Sequence, residues 1–599
     1  MRNAMNSNRS LVALAPRSAL RPVAWATGAL VSAMLFMAAE RAHAQEQAQA
    51  EPQAASANDA GDNTELLPTK DPCGTCDRPL AQATGTVAPQ SLPAPPRPAS
   101  AAGTFKLNDL RLNGVKALTN EELQSITTPY IGRDVTLADL EELAKAITAR
   151  YKERGYFLAQ AVVPVQTVRD GIVEISVIEG RLGKVDVVVA PDAPISEARV
   201  RGFFLAPLQP GEAVNAPAYE RSMLLLSDQP GVKVSSGLQE GTQSGTTDLS
   251  VEVAAAPRWA FTAEGDNHGT KESGRYRAGG TARWLSPFGI GDNLDMRVMV
   301  SNSNALQFGR IAYEAPIGTS GLRAGLGLSR VSYELGGQFA DLEAQGRANV
   351  LDFSLSYPWI RQRQQNLFLR FGADIKDLTD EMRAADFVSK KRVHGLSVGW
   401  TWERRDELLG GGYWASSGTL YHGDLSIRDA QSREFDQGST GHHTEGGFTK
   451  LSFQLSRLQS IMPRHSLYLS VGGQWASKNL DASEKLALGG ARAVRAYPSG
   501  ELLVDQGVIG TAEWRWSYDE ELTPFVFYDA ARGKIVRNPT PFDGANSHSL
   551  RGYGIGLSWS RPGNFSINAT LAWRAGAPPA QTDGGGRNPR LYVQLIKAF

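Results

Sequence analysis

Cysteine is nearly absent: the 599-residue chain has two, both within Cys73-Gly74-Thr75-Cys76. That excludes a disulfide framework or a cysteine-rich metal centre as the source of the fold. Net charge is lacking as well, Lys plus Arg equalling Asp plus Glu at 62 each, so no bulk electrostatic argument points to nucleic acid. A mean hydropathy of −0.28 with 21% charged residues excludes a helical membrane protein. No Gly-x-x-x-x-Gly-Lys-Ser/Thr loop is present to cradle a phosphate. The eight histidines are scattered, and His442-His443 lies in a Gly-rich stretch without further metal-ligand spacing. The expectation is no catalysis, no metal and no cofactor.

What the chain has in quantity is short-period alternation. Leu294, Met296, Val298 and Val300 interleave with Asp295, Arg297, Met299 and Ser301. The pattern recurs at Leu396, Val398, Trp400 and Trp402, at Tyr553, Ile555, Leu557 and Trp559, and at Leu591, Val593 and Leu595 before the C-terminal Phe599. One face of each run suits lipid and the other water. A tilted membrane strand takes about 9 to 11 residues, so residues 257–599 hold about 16 strands with their turns. A soluble β-sandwich alternates too, but its outward positions are polar. Here they are Leu, Val, Phe and Trp, with aromatics at strand ends. The expected fold is a membrane β-barrel of about 16 antiparallel strands, bathed in outer-membrane lipid and monomeric.

The compartment follows from the first 44 residues. Arg2, Arg9, Arg17 and Arg21 precede an apolar stretch from Val23 to Ala39, and Ala42-His43-Ala44 presents small residues where a signal peptidase reads them. A signal peptide over 1–44, cut between Ala44 and Gln45, is expected; a short membrane anchor is the alternative, disfavoured by the Ala-x-Ala site. Residues 45–103 are an Ala/Gln/Pro-rich tether that cannot form a packed core. In an exported chain, Cys73 and Cys76 are expected to form a local disulfide without a catalytic role, because no thioredoxin-like context surrounds them.

Two small α/β units precede the barrel. In 104–180, Phe105 to Val115 alternates as a strand, and Thr119 with Glu122 opens a short helix as a capping box. A second helix over Thr136 to Arg154 carries the stripe Leu137, Leu140, Leu143, Ala144, Ile147 and Tyr151, and Gly155 ends it. Strands Phe157 to Gln166 and Ile172 to Ile178 turn at Arg169-Asp170-Gly171. The order βααββ repeats in 181–256, with strands around Val185–Val189, Val232–Gly237 and Leu249–Val253 and helices around Ile195–Phe204 and Pro217–Leu226. Most of each helical stripe belongs to a core face. A sheet edge and the helix flank beside it remain for an extended peptide, which assigns partner contact to Leu137, Leu140, Phe157, Ala159 and Ala161.

The order of parts, with the ending Val173-Glu174-Ile175-Ser176-Val177-Ile178-Glu179-Gly180 of the first unit, resembles the two-partner-secretion transporters of the haemolysin secretion/activation type. Its α/β units resemble polypeptide-transport-associated (POTRA) domains. Gly265-Asp266-Asn267-His268-Gly269 and Leu285-Ser286-Pro287-Phe288-Gly289-Ile290-Gly291-Asp292 are similar to that family's first hairpin.

Two further motifs follow the resemblance. Val494-Arg495-Ala496-Tyr497 is similar to the Val-Arg-Gly-aromatic tip of the family's long sixth loop, which folds into the lumen. Phe527-Tyr528-Asp529 is similar to the strand whose acid meets that arginine. The resemblance implies a gating loop carrying Val494, Arg495 and Tyr497, with Arg495 paired to Asp529. Ala496 and Ala531 depart from the pattern, which has glycine at both places. The implied function is transport of a large β-helical partner protein, an adhesin, a cytolysin or a contact-dependent toxin, captured unfolded in the periplasm. An insertase that assembles other barrels is the second reading, and a barrel enzyme or diffusion pore the third.

Overall fold

The computed structural model describes residues 103–599 except 244, 577 and 584–586. The expected leader with its Ala44–Gln45 cleavage, the tether and the Cys73–Cys76 pair lie outside the described residues.

The first unit starts as two short strands rather than one. β1 (Phe105–Lys106) pairs with β3 (Asp134–Val135), whereas β2 (Asp109–Asn113) runs parallel to β5 (Ile172–Ile178). Between them, Asn108 and Asp109 donate their backbone N–H groups to Gly171, which breaks the expected continuous strand. Helices α1 (Asn120–Thr127) and α2 (Leu137–Glu153) both open on complete capping boxes, Thr119 with Glu122 and Thr136 with Asp139. In each, the threonine hydroxyl accepts an orphan N–H while the acid returns a bond to the cap's own backbone. At the other end of α2, Gly155 adopts φ +89°, the left-handed conformation glycine takes at low cost.

One expected strand is cut short. β4 spans only Gln160–Val162, not Phe157 to Gln166. Pro164 has no N–H to give, and the Gln166 side chain bonds both the N–H and the C=O of Glu174, at 2.8 and 2.7 Å, in place of a strand backbone. The turn at Asp170 and Gly171 has positive φ at both residues, 56° and 71°, as a two-residue hairpin turn requires. Leu143, Ile147, Tyr151, Val173 and Ile175 are sealed within the unit. Each such aliphatic side chain contributes roughly 1.5–3 kcal/mol by leaving water.

The second unit repeats the order: β6 (Arg181–Val189), α3 (Glu197–Leu205), α4 (Ala216–Ser227), β7 (Val232–Glu240) and β8 (Thr246–Ala255). Its sheet runs β6-β8-β7, leaving β7 paired on one side only. The units meet where Ala216 donates to the Gly155 carbonyl at 2.8 Å and Val214 donates to Gly180 at 3.1 Å.

Among the described residues, sixteen antiparallel strands then close a barrel. They are β9 (Trp259–Asp266), β10 (Arg277–Leu285), β11 (Asn293–Ser301), β12 (Leu306–Pro316), β13 (Arg323–Glu334), β14 (Ala344–Arg361), β15 (Gln365–Met382), β16 (Phe387–Asp406), β17 (Gly412–Ile427), β18 (Gly446–Met462) and β19 (His465–Ala476). After a long loop containing the short pair β20 (Leu486–Ala487) and β21 (Leu503–Val504), they continue as β22 (Gln506–Trp516), β23 (Leu522–Lys534), β24 (Ser547–Arg561), β25 (Phe565–Arg574) and β26 (Arg590–Ala598). β26 returns to β9 over the short register Gln594↔Asp266 to Ala598↔Thr262. As the alternation requires, Val298, Leu396, Ile555 and Leu595 face outward and are exposed, while Met299 and Arg297 point into the lumen.

The second unit is fastened to the near end of the barrel. Arg361 grips Asp228 bidentately at 2.7 and 2.8 Å, Arg221 donates to the Pro358 carbonyl at 2.7 Å, and Arg199 donates to Gly318 at 2.9 Å. The Leu285–Asp292 motif forms the turn between β10 and β11, and Ser286 there donates to Pro194 at 3.2 Å. Bidentate guanidinium contacts fix orientation as well as distance, so the units are set at the barrel mouth.

Candidate functional site: a loop folded into the lumen

The segment between β19 and β22 leaves the far end of the barrel and turns inward. Its tip is a tight turn: Gly490 has φ +131°, Val494 donates to the Leu488 carbonyl at 3.0 Å, and Tyr497 donates to Val494 at 3.1 Å. Val494 and Tyr497 are fully buried. The Tyr497 hydroxyl donates to Pro578 at 2.9 Å, and its carbonyl accepts from Tyr592 of β26 at 2.7 Å.

Arg495 and Asp529 meet. The guanidinium donates from Nε and Nη2 to the two carboxylate oxygens at 2.8 and 2.7 Å, and the Arg495 backbone N–H adds a third bond at 3.1 Å. Glu513 of β22 takes Nη1 at 2.7 Å, and the Phe527 ring lies 3.5 Å beneath the guanidinium carbon. Two carboxylates and an aromatic face therefore enclose one cation that cannot deprotonate. A buried charge is tolerated only when paired and hydrogen-bonded in this way. Asp529 also accepts from Thr511 at 3.0 Å.

The two alanines do not prevent docking. Ala496 is buried against Gly552 of β24, where a methyl on Gly552 would lie 2.6 Å from the Ala496 Cβ. Ala531 faces the apolar cluster around Leu486, Leu488 and Leu550. Glycine thus stands on the wall rather than on the loop, and the close approach is kept.

A second anchor was not read from the sequence. At the start of the loop, Glu484 is clasped by Lys376 of β15 at 2.8 Å and Lys450 of β18 at 2.9 Å, and Asp481 by Lys391 of β16 at 2.6 Å. Lys485 pairs with Asp505 within the loop at 2.9 Å. Glu501 accepts from the Gln581 and Thr582 backbones at 2.8 and 3.0 Å, and Ser499 donates to the His268 carbonyl at 2.7 Å. The loop is therefore bonded to walls on both sides of its stem, from β15 round to β26 and the β9–β10 turn. The one signal available beforehand was lumen-parity lysines at Lys376, Lys391 and Lys450, which have no local acid to answer them all.

The residues assigned to partner contact fare differently. Leu140, Ala159 and Ala161 are buried in the first unit's own core, and Phe157 packs against the core of the second unit. Leu140, Ala159 and Ala161 are spent on the first unit's own core, and the half-buried Phe157 on the contact between the two units. Leu137, at the first turn of α2, is 55% exposed. The β4 edge is also occupied, since the Ala161 N–H donates to the Thr148 hydroxyl at 2.9 Å. His442 pairs with Asp543 at 2.9 Å. Gly395-Leu396-Ser397-Val398-Gly399 has the spacing of a hydrolase nucleophile turn, yet it lies mid-strand in β16, paired on both sides.

The family model described as "Haemolysin secretion/activation protein ShlB/FhaC/HecB" matches residues 245–559, and that of a "POTRA domain, ShlB-type" matches 105–180. The chain belongs to the haemolysin secretion/activation family. It is 28% identical over 490 residues to the heme/hemopexin transporter protein HuxB of Haemophilus influenzae, covering 80% of this chain and 85% of that one. It is 24% identical over 513 residues to the outer membrane transporter CdiB of Escherichia coli, covering 82% of each. The solved structure of E. coli CdiB superposes with a TM-score of 0.68 at 20% identity, over 86% of this chain and 93% of that one. CdiB from Acinetobacter baumannii gives 0.63 at 15% identity, over 95% and 99%. As a member of this family, the protein is a two-partner-secretion transporter of the outer membrane that translocates a partner protein. Its POTRA domain at 105–180 is periplasmic, so the barrel end gripped by Arg199, Arg221 and Asp228 faces the periplasm and the other end the cell surface.

Proposed function

We propose that the protein captures one unfolded, exported β-helical partner at its two periplasmic α/β units, both acting as POTRA domains, and threads it through the lumen once the long loop swings aside. The observation that carries this reading is the loop itself, bonded across the lumen by Arg495 at its tip and by Asp481 and Glu484 at its base. A polypeptide cannot pass while those contacts hold. Receipt of the partner is assigned to the unpaired edge of β7, which can add an extended strand, with Leu137 as an outward apolar contact. No nucleotide is needed: folding of the emerging chain outside the cell makes return unfavourable. A 1–44 leader exports the chain, the 45–103 tether precedes the first unit, and a closed barrel works as a monomer. Deleting residues 105–180 tests the first unit's part, carried by Leu137, and prolines placed along β7 test the edge. Partner export should cease while the barrel still inserts, and export at the normal rate would remove the first unit from the capture step.

A further inference from the structure

The outer wall of β11–β15 carries a groove of about 700 Å³. Its floor is aliphatic, with Val298, Ile311, Leu328, Leu351 and Ile375 on the lipid-facing parity of five successive strands. Its upper rim is polar. Register places Arg330, Asn349, Asp377 and Arg392 side by side across β13 to β16, with Arg347 and Lys390 on the same face one row further out.

The height of that rim can be read from the strands. Trp359 to Asn349 on β14, and Trp402 to Arg392 on β16, each span about ten residues, or about 33 Å of strand at ~3.3 Å per residue. At the usual tilt that is roughly 25 Å along the membrane normal, the height of a barrel's apolar band. Since Trp359 sits by the periplasmic turns, Asn349 and Arg392, with Arg347 and Lys390 beyond them, lie at the headgroup level of the outer leaflet, while Arg330, seven residues above the β13 start at Arg323, lies lower and extends its side chain up toward them.

The rim has cations to spare. Asp377 is satisfied by Arg392 at 2.8 Å and Glu381 accepts from Gln345 at 2.6 Å. Arg330, Arg347 and Lys390 are exposed, and none has an ion pair among the described residues. We infer that this groove binds the phosphorylated glycolipid of the outer leaflet, its acyl chains on the Val298–Ile375 floor and a phosphate between Arg330 and Arg347. Guanidinium groups engage phosphate oxygens through paired N–H donors, and their aliphatic stems can lie along the apolar floor.

The test is native mass spectrometry of the full-length protein in detergent, with bisphosphorylated lipid A, phosphate-free lipid A and phosphatidylglycerol as probes. Lipid A should be retained by the wild type, and at least about tenfold more weakly by the combined Arg330→Gln and Arg347→Gln variant, given the loss of two charge-assisted contacts. The combined Arg330→Lys and Arg347→Lys variant, which keeps the charge and reports on folding, should retain most of the binding. Phosphate-free lipid A should bind no better than the glutamine variant does. Equal retention by wild type and glutamine variant, or phosphatidylglycerol binding as tightly as lipid A, would overturn the assignment.

Discussion

Ala496 and Gly552 form a lock by shape: the loop methyl fills the space that the missing side chain of a wall glycine leaves, at an approach of 2.6 Å for any methyl added there. Gly552→Ala should therefore push the loop tip off β24 while leaving the Arg495 charges intact. The expected readout is a larger or more frequently open single-channel conductance in planar bilayers, and unchanged conductance would show that the tip tolerates the added carbon.

The charge lock has three members, so exchange of two should rescue only in part. Arg495→Asp and Asp529→Arg alone should each raise basal conductance and impair export. Their combination should recover some of both but not all, because Glu513 would then face a carboxylate from the loop tip instead of a guanidinium. A double-mutant cycle checks this, and absence of coupling would count against the pair.

At the loop base, Glu484→Gln leaves the half-buried Lys376 and Lys450 without their shared, buried acid. Removing one partner of a buried ionic cluster costs about 3–5 kcal/mol. Here that cost falls on docking of the loop, because the strands keep their ladders. Protease cleavage within 477–505 on intact cells should become faster, with heat-modifiable barrel mobility unchanged.

In the periplasmic units, acid should loosen the helices before the sheets. The Thr119 backbone N–H holds the Glu122 carboxyl below its ordinary value, and the Thr136 backbone N–H does the same for Asp139. A depressed carboxyl contributes stability above the unfolded-state value and loses it as pH falls toward the folded one. Hydrogen exchange over 120–127 and 137–153, corrected for intrinsic rates, should accelerate as pH drops below about 4. Asp139→Asn, which removes the titrating carboxyl, should abolish that dependence at the start of the second helix.

Much of this was legible in the chain. Period-2 alternation gave the barrel, since lipid outside and water inside force opposite chemistry on successive residues. Helix ends were legible where a cap is local, as at Thr119, Thr136 and Gly155. Local pattern failed where a distant group intervened: Gln166 displaced a strand by bonding Glu174, and α2 and the sheet consumed Leu140, Ala159 and Ala161. The Arg495–Asp529 contact came from a motif, whereas Glu484 with Lys376 and Lys450 had none, because such a pairing depends on where a long loop lands rather than on its sequence.

The proposed route requires the loop to leave the lumen before a partner can pass. Ser499 and the His268 backbone are within a hydrogen bond of each other, at 2.7 Å. Ser499→Cys with His268→Cys, in a background where Cys73 and Cys76 are serine, can therefore be bridged by a reducible bis-thiol linker that spans the two side chains and pins the tip to the β9–β10 turn. Partner release to the medium should stop when the bridge is closed and resume when it is opened by reductant or omitted. Export at the normal rate through transporters shown to remain bridged would mean that the partner passes with the loop still in place.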